Sequence, residues 1–533
     1  MNKVKRGSSG ILRLFLGADM LPASLLLASL LLAPNATLWA RAQDQSGQAP
    51  TQQQDQKPPD KNVPASGTQE PSPPSAPQEE PAKPEVKITP RQAEELFHTV
   101  DEILDFDSKQ TGLPIKKNVK RKLTSRDEVV SFLTKHMDDE DTKRLRRSEL
   151  VLKKFGLLPR DFNLETFLVA LLREEVAGYY DPKTKTVNLL DWVPMEEQEP
   201  VMAHELTHAL QDQSIGMEKW MKRGEKDLGE IKRDPTPIDI ENDEIDNARE
   251  AVIEGQAQAM MFQYAIAPTG QTISSSPALV GQMEEETMTG TSGTKVFNEA
   301  PIFLKESLTF PYSYGMDFII QVMKQGGKEK AFAGVLKNPP HTTRQIMEPD
   351  TYLSGEKIEP MPVPDFKNDF KDYQKFDVGA MGEFDVAVLI EQYAGKPLSK
   401  RLYPAWRGGY YYAAKPKQDP KSDFVTTTTA PLGLLYVSRW SSADTAAEFA
   451  AIYAQSLKQR YKNLEEENFA PPVPAPDSDS KADQLRGRHA WTTDEGTIVI
   501  DERGNTVLVS ESLDASTTAT LEKEVFAASP SPK

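Results

Sequence analysis

Cysteine is missing altogether from the 533 residues, which removes disulfides, thiolate metal sites and cysteine nucleophiles in one step. Any metal ion must then be held by histidine and carboxylate. Histidine is itself scarce, with six in the chain, so two of them at a ligand spacing carry weight. Positive charge is in deficit, 63 Lys and Arg against 80 Asp and Glu, for a formal net charge of −17. No basic stripe is left over to neutralise phosphates, which argues against a nucleic-acid partner. Beyond the N-terminus no stretch approaches the roughly 18 apolar residues of a membrane-spanning helix. Large apolar residues are almost absent from 43–88, where Gln, Pro, Ser and Lys dominate.

What the N-terminus does contain reads as an export signal. Lys3, Lys5, Arg6 and Arg13 precede a leucine-rich run, Leu21 to Leu32, and Ala40-Arg41-Ala42 offers a small-residue cleavage site. Residues 1–42 are therefore expected to be a signal peptide, with an uncleaved membrane anchor as the alternative. The protein is expected outside the cytoplasm, periplasmic or secreted. Pro58-Pro59, Pro71 to Pro77 and Pro81 to Pro84 favour extended polyproline, so 43–88 reads as a disordered linker.

Folding is expected from Thr89-Pro90, a cap and N1 proline ahead of the periodic Ala93, Leu96, Phe97, Val100, Ile103 and Leu104. Helical patterns follow over Ser125–Lys135, Asp141–Phe155 and Asn163–Glu175. Val176–Pro182 and Thr186–Leu190 read as short strands around a Pro182–Lys185 turn. Helices are expected at Pro200–Asp212, Asp243–Tyr264, Ala300–Lys324 and Gly327–Leu336. Thr272–Thr294 reads as a loop, and Pro339–Val378 as irregular surface chain. The remainder reads β, β, α, β, β, β, α. The fold class is α+β: a mainly helical domain over 89–350 with a small edge sheet, a linker at 351–378, and a C-terminal α+β domain over 379–533.

The chemistry concentrates in Val201-Met202-Ala203-His204-Glu205-Leu206-Thr207-His208. Positions four apart share a helix face, so His204 and His208 can each offer a nitrogen to one zinc ion. Glu205 leans toward the open coordination position, where a carboxylate can take a proton from water. A random chain of this composition would show the pattern roughly once in 200. Catalytic zinc takes three protein ligands, and none of His98, His136, His341 or His489 lies near in sequence. The helix around Glu250-Ala251-Val252-Ile253-Glu254-Gly255-Gln256-Ala257 offers a carboxylate instead. Glu254 is the preferred ligand, beside small residues that let two helices approach closely. Glu250, one turn earlier, is the next candidate, or else the group that orients a histidine.

His204-Glu205-x-x-His208 followed by Glu254-Gly255-x-Ala257 resembles the gluzincin zinc metallopeptidases, the thermolysin-like and aminopeptidase-like class. The resemblance implies a zincin-like domain, a zinc cofactor, and an edge strand above the active-site helix, which Thr186–Leu190 would supply for pairing with a peptide or protein substrate. Tyr312-Ser-Tyr-Gly315-Met-Asp-Phe318 is similar to a gluzincin pattern whose tyrosine binds the reaction's oxyanion. That makes Tyr312 a catalytic candidate, with His341 as its substitute and a purely structural tyrosine as the alternative. The charged insertion Met217–Pro235 lengthens the spacing from His208 to Glu254 beyond that of thermolysin. An envelope interaction protein with a structural or vestigial zinc site, and a zinc amidase for a non-protein substrate, are the competing functions.

Overall fold

The Thr89 hydroxyl accepts a hydrogen bond from the Gln92 amide, and the Thr89 amide donates to Gln92 Oε1, a capping box that opens α1 (Pro90–Thr111). Gly112 closes it at φ 76°, where only glycine is unstrained. The computed structural model describes residues 87–528 apart from 126, 130–138, 176–177, 194, 222–232, 292–294, 418–427 and 468–482. The expected export signal, nearly all of the linker, His136 and most of the Ser125–Lys135 helix lie outside the described residues.

A strand that the sequence reading missed, β1 (Lys120–Thr124), comes next, followed by α2 (Asp139–Phe155) and α3 (Leu164–Glu175). Strands β2 (Tyr179–Asp181) and β3 (Thr186–Leu190) then form a tight antiparallel pair. The order of this sheet is β1-β3-β2, with β1 parallel to β3. The expected edge strand Thr186–Leu190 is therefore the central one, and the edges are β1 and β2. Lys120-Arg-Lys-Leu-Thr carries a single large apolar residue, so no period-2 signal announced it.

The motif helix α4 (Met195–Ile215) starts five residues before Pro200, which sits inside it. Gln198 explains how that first turn is held. Its Oε1 accepts from the Leu190 amide, and its Nε2 donates to the Leu190 and Val193 carbonyls. The next long helix, α5 (Ile245–Ile266), is buried along nearly its whole length. The expected loop at Thr272–Thr294 is largely helix α6 (Pro277–Thr291). Pro277 suits its first turn, and Leu279, Val280 and Met283 pack inward. Helix α7 (Ile302–Glu329) breaks at Gly327, φ 77°, as the two expected helices required.

Pro339–Val378 is not irregular surface chain. It contains the short helices Thr343–Met347, Pro349–Ser354 and Phe366–Asp369 and most of β4 (Tyr373–Ala380), and it buries Arg344, Ile346, Phe366 and Phe370. Unforeseen helix α8 (Glu383–Ala394) follows. Then come β5 (Trp406–Pro416), β6 (Gly433–Trp440), α9 (Ala443–Arg460), β7 (Glu465–Glu467), β8 (Gly487–Thr493), β9 (Gly496–Arg503), β10 (Thr506–Glu511) and α10 (Ala515–Ala528). The seven strands form an antiparallel sheet in the order β4-β5-β6-β10-β9-β8-β7. Alternation sends Tyr410, Tyr412, Leu435 and Val437 to one face with Phe366, Phe370 and α10. It sends Tyr411, Ala413, Leu434 and Tyr436 to the other.

That second face belongs to the core of the N-terminal half. Phe155 of α2 packs edge-on against Tyr411 and Tyr436, at 5.9 and 5.6 Å between ring centroids. Lys154 Nζ reaches Glu495 at 2.9 Å and Ser512 at 2.8 Å, and Arg460 pairs with Glu511 at 2.7 Å while donating to the Lys154 carbonyl. The architecture is mixed α+β, with one apolar core running from Leu96 to Val509. The expected linker at 351–378 is thus part of the packed structure. Among the described residues no helix is long and apolar enough to cross a membrane.

Candidate metal centre

Helix α4 places His204 and His208 on one face, rings 4.7 Å apart at 84°. Across from them α5 presents Glu254, whose Oε2 lies 3.2 Å from His204 Nε2 and 3.4 Å from His208 Nε2. One candidate donor atom from each residue falls within 4.8 Å of the others, and all three side chains are buried. Such a set can hold a metal ion. His208 Nε2 is buried without a well-formed hydrogen bond, Glu254 Oε2 lying 3.4 Å away, an arrangement that suits a cation both atoms would ligate. Two imidazoles and one carboxylate suit a borderline cation and leave a fourth position free.

Glycine allows the two helices that carry and flank Glu254 to touch. A Cβ at Gly255 of α5 would fall 2.2 Å from the Gly315 carbonyl carbon of α7, and a Cβ at Gly315 would fall 2.2 Å from the Ala251 oxygen. This backbone-to-backbone crossing brings Tyr312, three residues before Gly315, to the cluster. Its ring centroid lies 6.3 Å from that of His204. Burial first, then the charges of Glu254, Glu250 and Glu205, push the Tyr312 phenol well above its ordinary range. It stays a protonated donor. Tyr314 turns away instead, packing on Phe310 at 5.4 Å.

Glu205 is 1% exposed. Its Oε2 accepts a 2.7 Å hydrogen bond from the Tyr180 amide on β2, while Oε1 is buried without a partner. Burial raises its pKa to about 8 against the pull of His208. Burial lowers His204. It would lower His208 too, but the charge and hydrogen bond of Glu254, helped by Glu205, outweigh burial and raise His208 to about 9. Glu254 goes the other way: the histidines overcome its burial and hold it below the usual carboxylate range. Glu254 and His208 thus each favour the other's charged form. Glu250 stays out of the three-residue cluster. Burial, with the charges of Glu254 and Asp246, lifts it well above the carboxylate range.

The group that orients His208 is an amide that the sequence reading passed over. Gln211 Nε2 donates to the Ile253 carbonyl at 2.9 Å and to Gln256 Oε1 at 3.0 Å. Its Oε1 therefore faces His208 Nδ1, 2.9 Å away, and must accept a hydrogen bond from its N–H. The neutral ring then keeps its lone pair on Nε2, facing Glu254. Gln256 Nε2 in turn donates to Ala331 and Phe332 carbonyls in the π-helical turn Lys330–Gly334. The available signal was spacing: Gln211 lies three residues after His208, on the same face. Gln211→Ala is expected to weaken metal binding about 10–100-fold, as read by competition with a chromogenic chelator. Unchanged affinity would assign the orientation of His208 to packing alone.

His341 does not reach this centre. It lines a separate cavity of about 650 Å³ at the N-terminal end of α5. His98 is exposed on α1, and His489 lies in the large sheet, 3.5 Å from Glu466. Compared with known proteins, the chain matches no protein-family model, no curated protein and no solved structure.

Proposed function

We propose that this chain is an exported zinc metallopeptidase of gluzincin type, hydrolysing peptide bonds with Glu205 as its proton-transfer group. The observation that carries the reading is the convergence of buried His204, His208 and Glu254 from two helices, with the unpartnered Oε1 of Glu205 beside them. A purely structural site has no use for that carboxylate, which favours an enzyme over an interaction protein.

His204, His208 and Glu254 would hold the zinc, which when bound supplies Lewis acidity that lowers the pKa of water and polarises the scissile carbonyl. Glu205, held by the Tyr180 amide, takes a proton from the attacking water and delivers it to the leaving amine. Burial raises the pKa of Glu205; a cation held at His204, His208 and Glu254 would oppose that and leave a carboxylate free to take the proton. Tyr312, still protonated at neutral pH, donates to the developing oxyanion. The substrate would align along β2, the edge whose Tyr180 amide already turns toward α4, and not along the central Thr186–Leu190. A zinc amidase for a non-protein substrate would use the same groups.

The test is metal content and hydrolysis together. Full-length protein loaded with zinc is expected to retain one ion per chain at neutral pH and to release it in acid as the imidazoles protonate. It should cleave members of a broad peptide library. His208→Ala should lose both properties, and a wild-type chain that holds no transition metal would overturn the assignment.

Tyr312→Phe keeps the ring and removes one donor. Turnover is expected to fall about 10²-fold or more, with zinc content and melting temperature nearly unchanged. Tyr314→Phe serves as the control because its ring packs on Phe310. Equal rates for the two variants would make Tyr312 a packing residue.

A further inference from the structure

The cavity at the N-terminal end of α5 is a site in its own right. It opens where that helix end, the chain from Asn338 to Met361 and the start of β5 meet, and its volume of about 650 Å³ lies in the range of ligand pockets. Ile240, Pro339, Ile358, Met361 and Trp406 give it an apolar lining. Trp406 is 3% exposed, and its Nε1–H has no hydrogen-bond partner. A buried donor without an acceptor is costly, so this wall of the cavity calls for an acceptor. Gly408 and Gly409 line the cavity beside it. A Cβ at Gly409 would come within 3.3 Å of that nitrogen, so a side chain there would crowd it.

The charges lining the cavity are unbalanced. Glu241, Glu244, Glu356 and Glu359 face Arg344 and Lys357. Arg344 is already engaged by Glu383 at 2.7 Å, Glu348 at 3.1 Å and Glu356 at 3.3 Å. Glu241 and Glu359 are exposed at the rim, where the charge of Glu359 also acts on Arg439. Just outside stands Ile238, 61% exposed, the more exposed of the two large apolar side chains on the described surface.

We propose that this cavity is a docking site for a peptide segment in which a large apolar side chain is flanked by lysine or arginine. The apolar side chain fills the pocket floor, and a backbone carbonyl beside it accepts from Trp406 Nε1. The flanking cations lie against Glu241 and Glu359, and the chain continues across Ile238. Extended backbone supplies the acceptor, and alternating side chains supply the apolar anchor and the charge. Nothing in this docking uses the metal centre.

The experiment is fluorescence anisotropy with the fluorescein-labelled peptide Lys-Lys-Ala-Phe-Ala-Lys-Lys. The receptor is the full chain carrying Glu205→Gln, so that no cleavage intervenes, with and without zinc. Saturable binding is expected in both states. Replacing the peptide's lysines by glutamate, or its phenylalanine by alanine, should each weaken binding about tenfold or more. The double variant Glu241→Lys/Glu359→Lys alters two exposed carboxylates and should abolish the preference for the basic peptide. Trp406→Phe should weaken binding if the variant folds, and the rim variant decides the matter if it does not. Absence of saturable binding, equal affinity for the basic and acidic peptides, equal affinity for the phenylalanine and alanine peptides, or an unaffected rim variant would each overturn the site. None of these outcomes bears on whether the metal centre hydrolyses peptides, which is read separately from the Glu205 chain.

Discussion

Glu205→Gln is expected to leave a folded, zinc-loaded protein that has lost hydrolysis by about 10²–10⁴-fold for each proton transfer the carboxylate performs. The fold should tolerate the change for a specific reason. Glu205 Oε2 accepts the Tyr180 amide at 2.7 Å, and the glutamine carbonyl oxygen can take over that bond. What disappears is the acid–base function of Oε1, the atom with no partner in the protein. The measurement pairs peptide turnover with zinc content and a thermal melt. Turnover within tenfold of wild type would place the base elsewhere.

Gly255→Ala is expected to have the largest effect on the fold. The added methyl would lie 2.2 Å from the Gly315 carbonyl carbon, which is backbone and cannot swing aside. The helices must separate, at a cost of about 3 kcal/mol, the upper end for overpacking. Glu254 is the neighbouring residue, so the same displacement should weaken metal binding. Gly281→Ala in α6 is the control, since nothing lies within 4 Å of its Cβ. There the substitution should be neutral or stabilise by up to about 1 kcal/mol. Thermal melts and chelator competition on the pair read both quantities. A wild-type melting temperature and zinc affinity for Gly255→Ala would mean that the crossing is looser than its backbone geometry requires.

The centre was legible because its parts follow short-range rules. His204 and His208 need only a helix, and Glu254 beside Gly255 and Ala257 needs only a neighbour that can come close. A helix with a clean cap was legible too, as with Thr89-Pro90 before α1. What escaped was set by distant partners. Lys120–Thr124 becomes a strand because Thr186–Leu190 lies beside it, and nothing within Lys-Arg-Lys-Leu-Thr says so. Tyr373–Ala380 mixes Lys375, Asp377 and Gly379 among its apolar residues, which conceals a strand buried over its last five residues. Gln211 was overlooked because an amide carries no charge pattern. Its role depends on Ile253 and Gln256, more than forty residues away.

The knot around Lys154 and Arg460 bears on the order in which the protein can assemble. Lys154 finds Glu495 at a separation of 341 residues, and Arg460 closes on its carbonyl at 306. During synthesis, α2 would emerge with the Phe155 side chain and a lysine that must be desolvated, hundreds of residues ahead of the sheet that receives them. Contacts of such long range impose a large loop-closure cost before they return any stability. The N-terminal half is thus an incomplete folding unit until β10 exists. A chain stopped short of the large sheet would expose the apolar face that Tyr411 and Tyr436 normally cover and would be prone to aggregate.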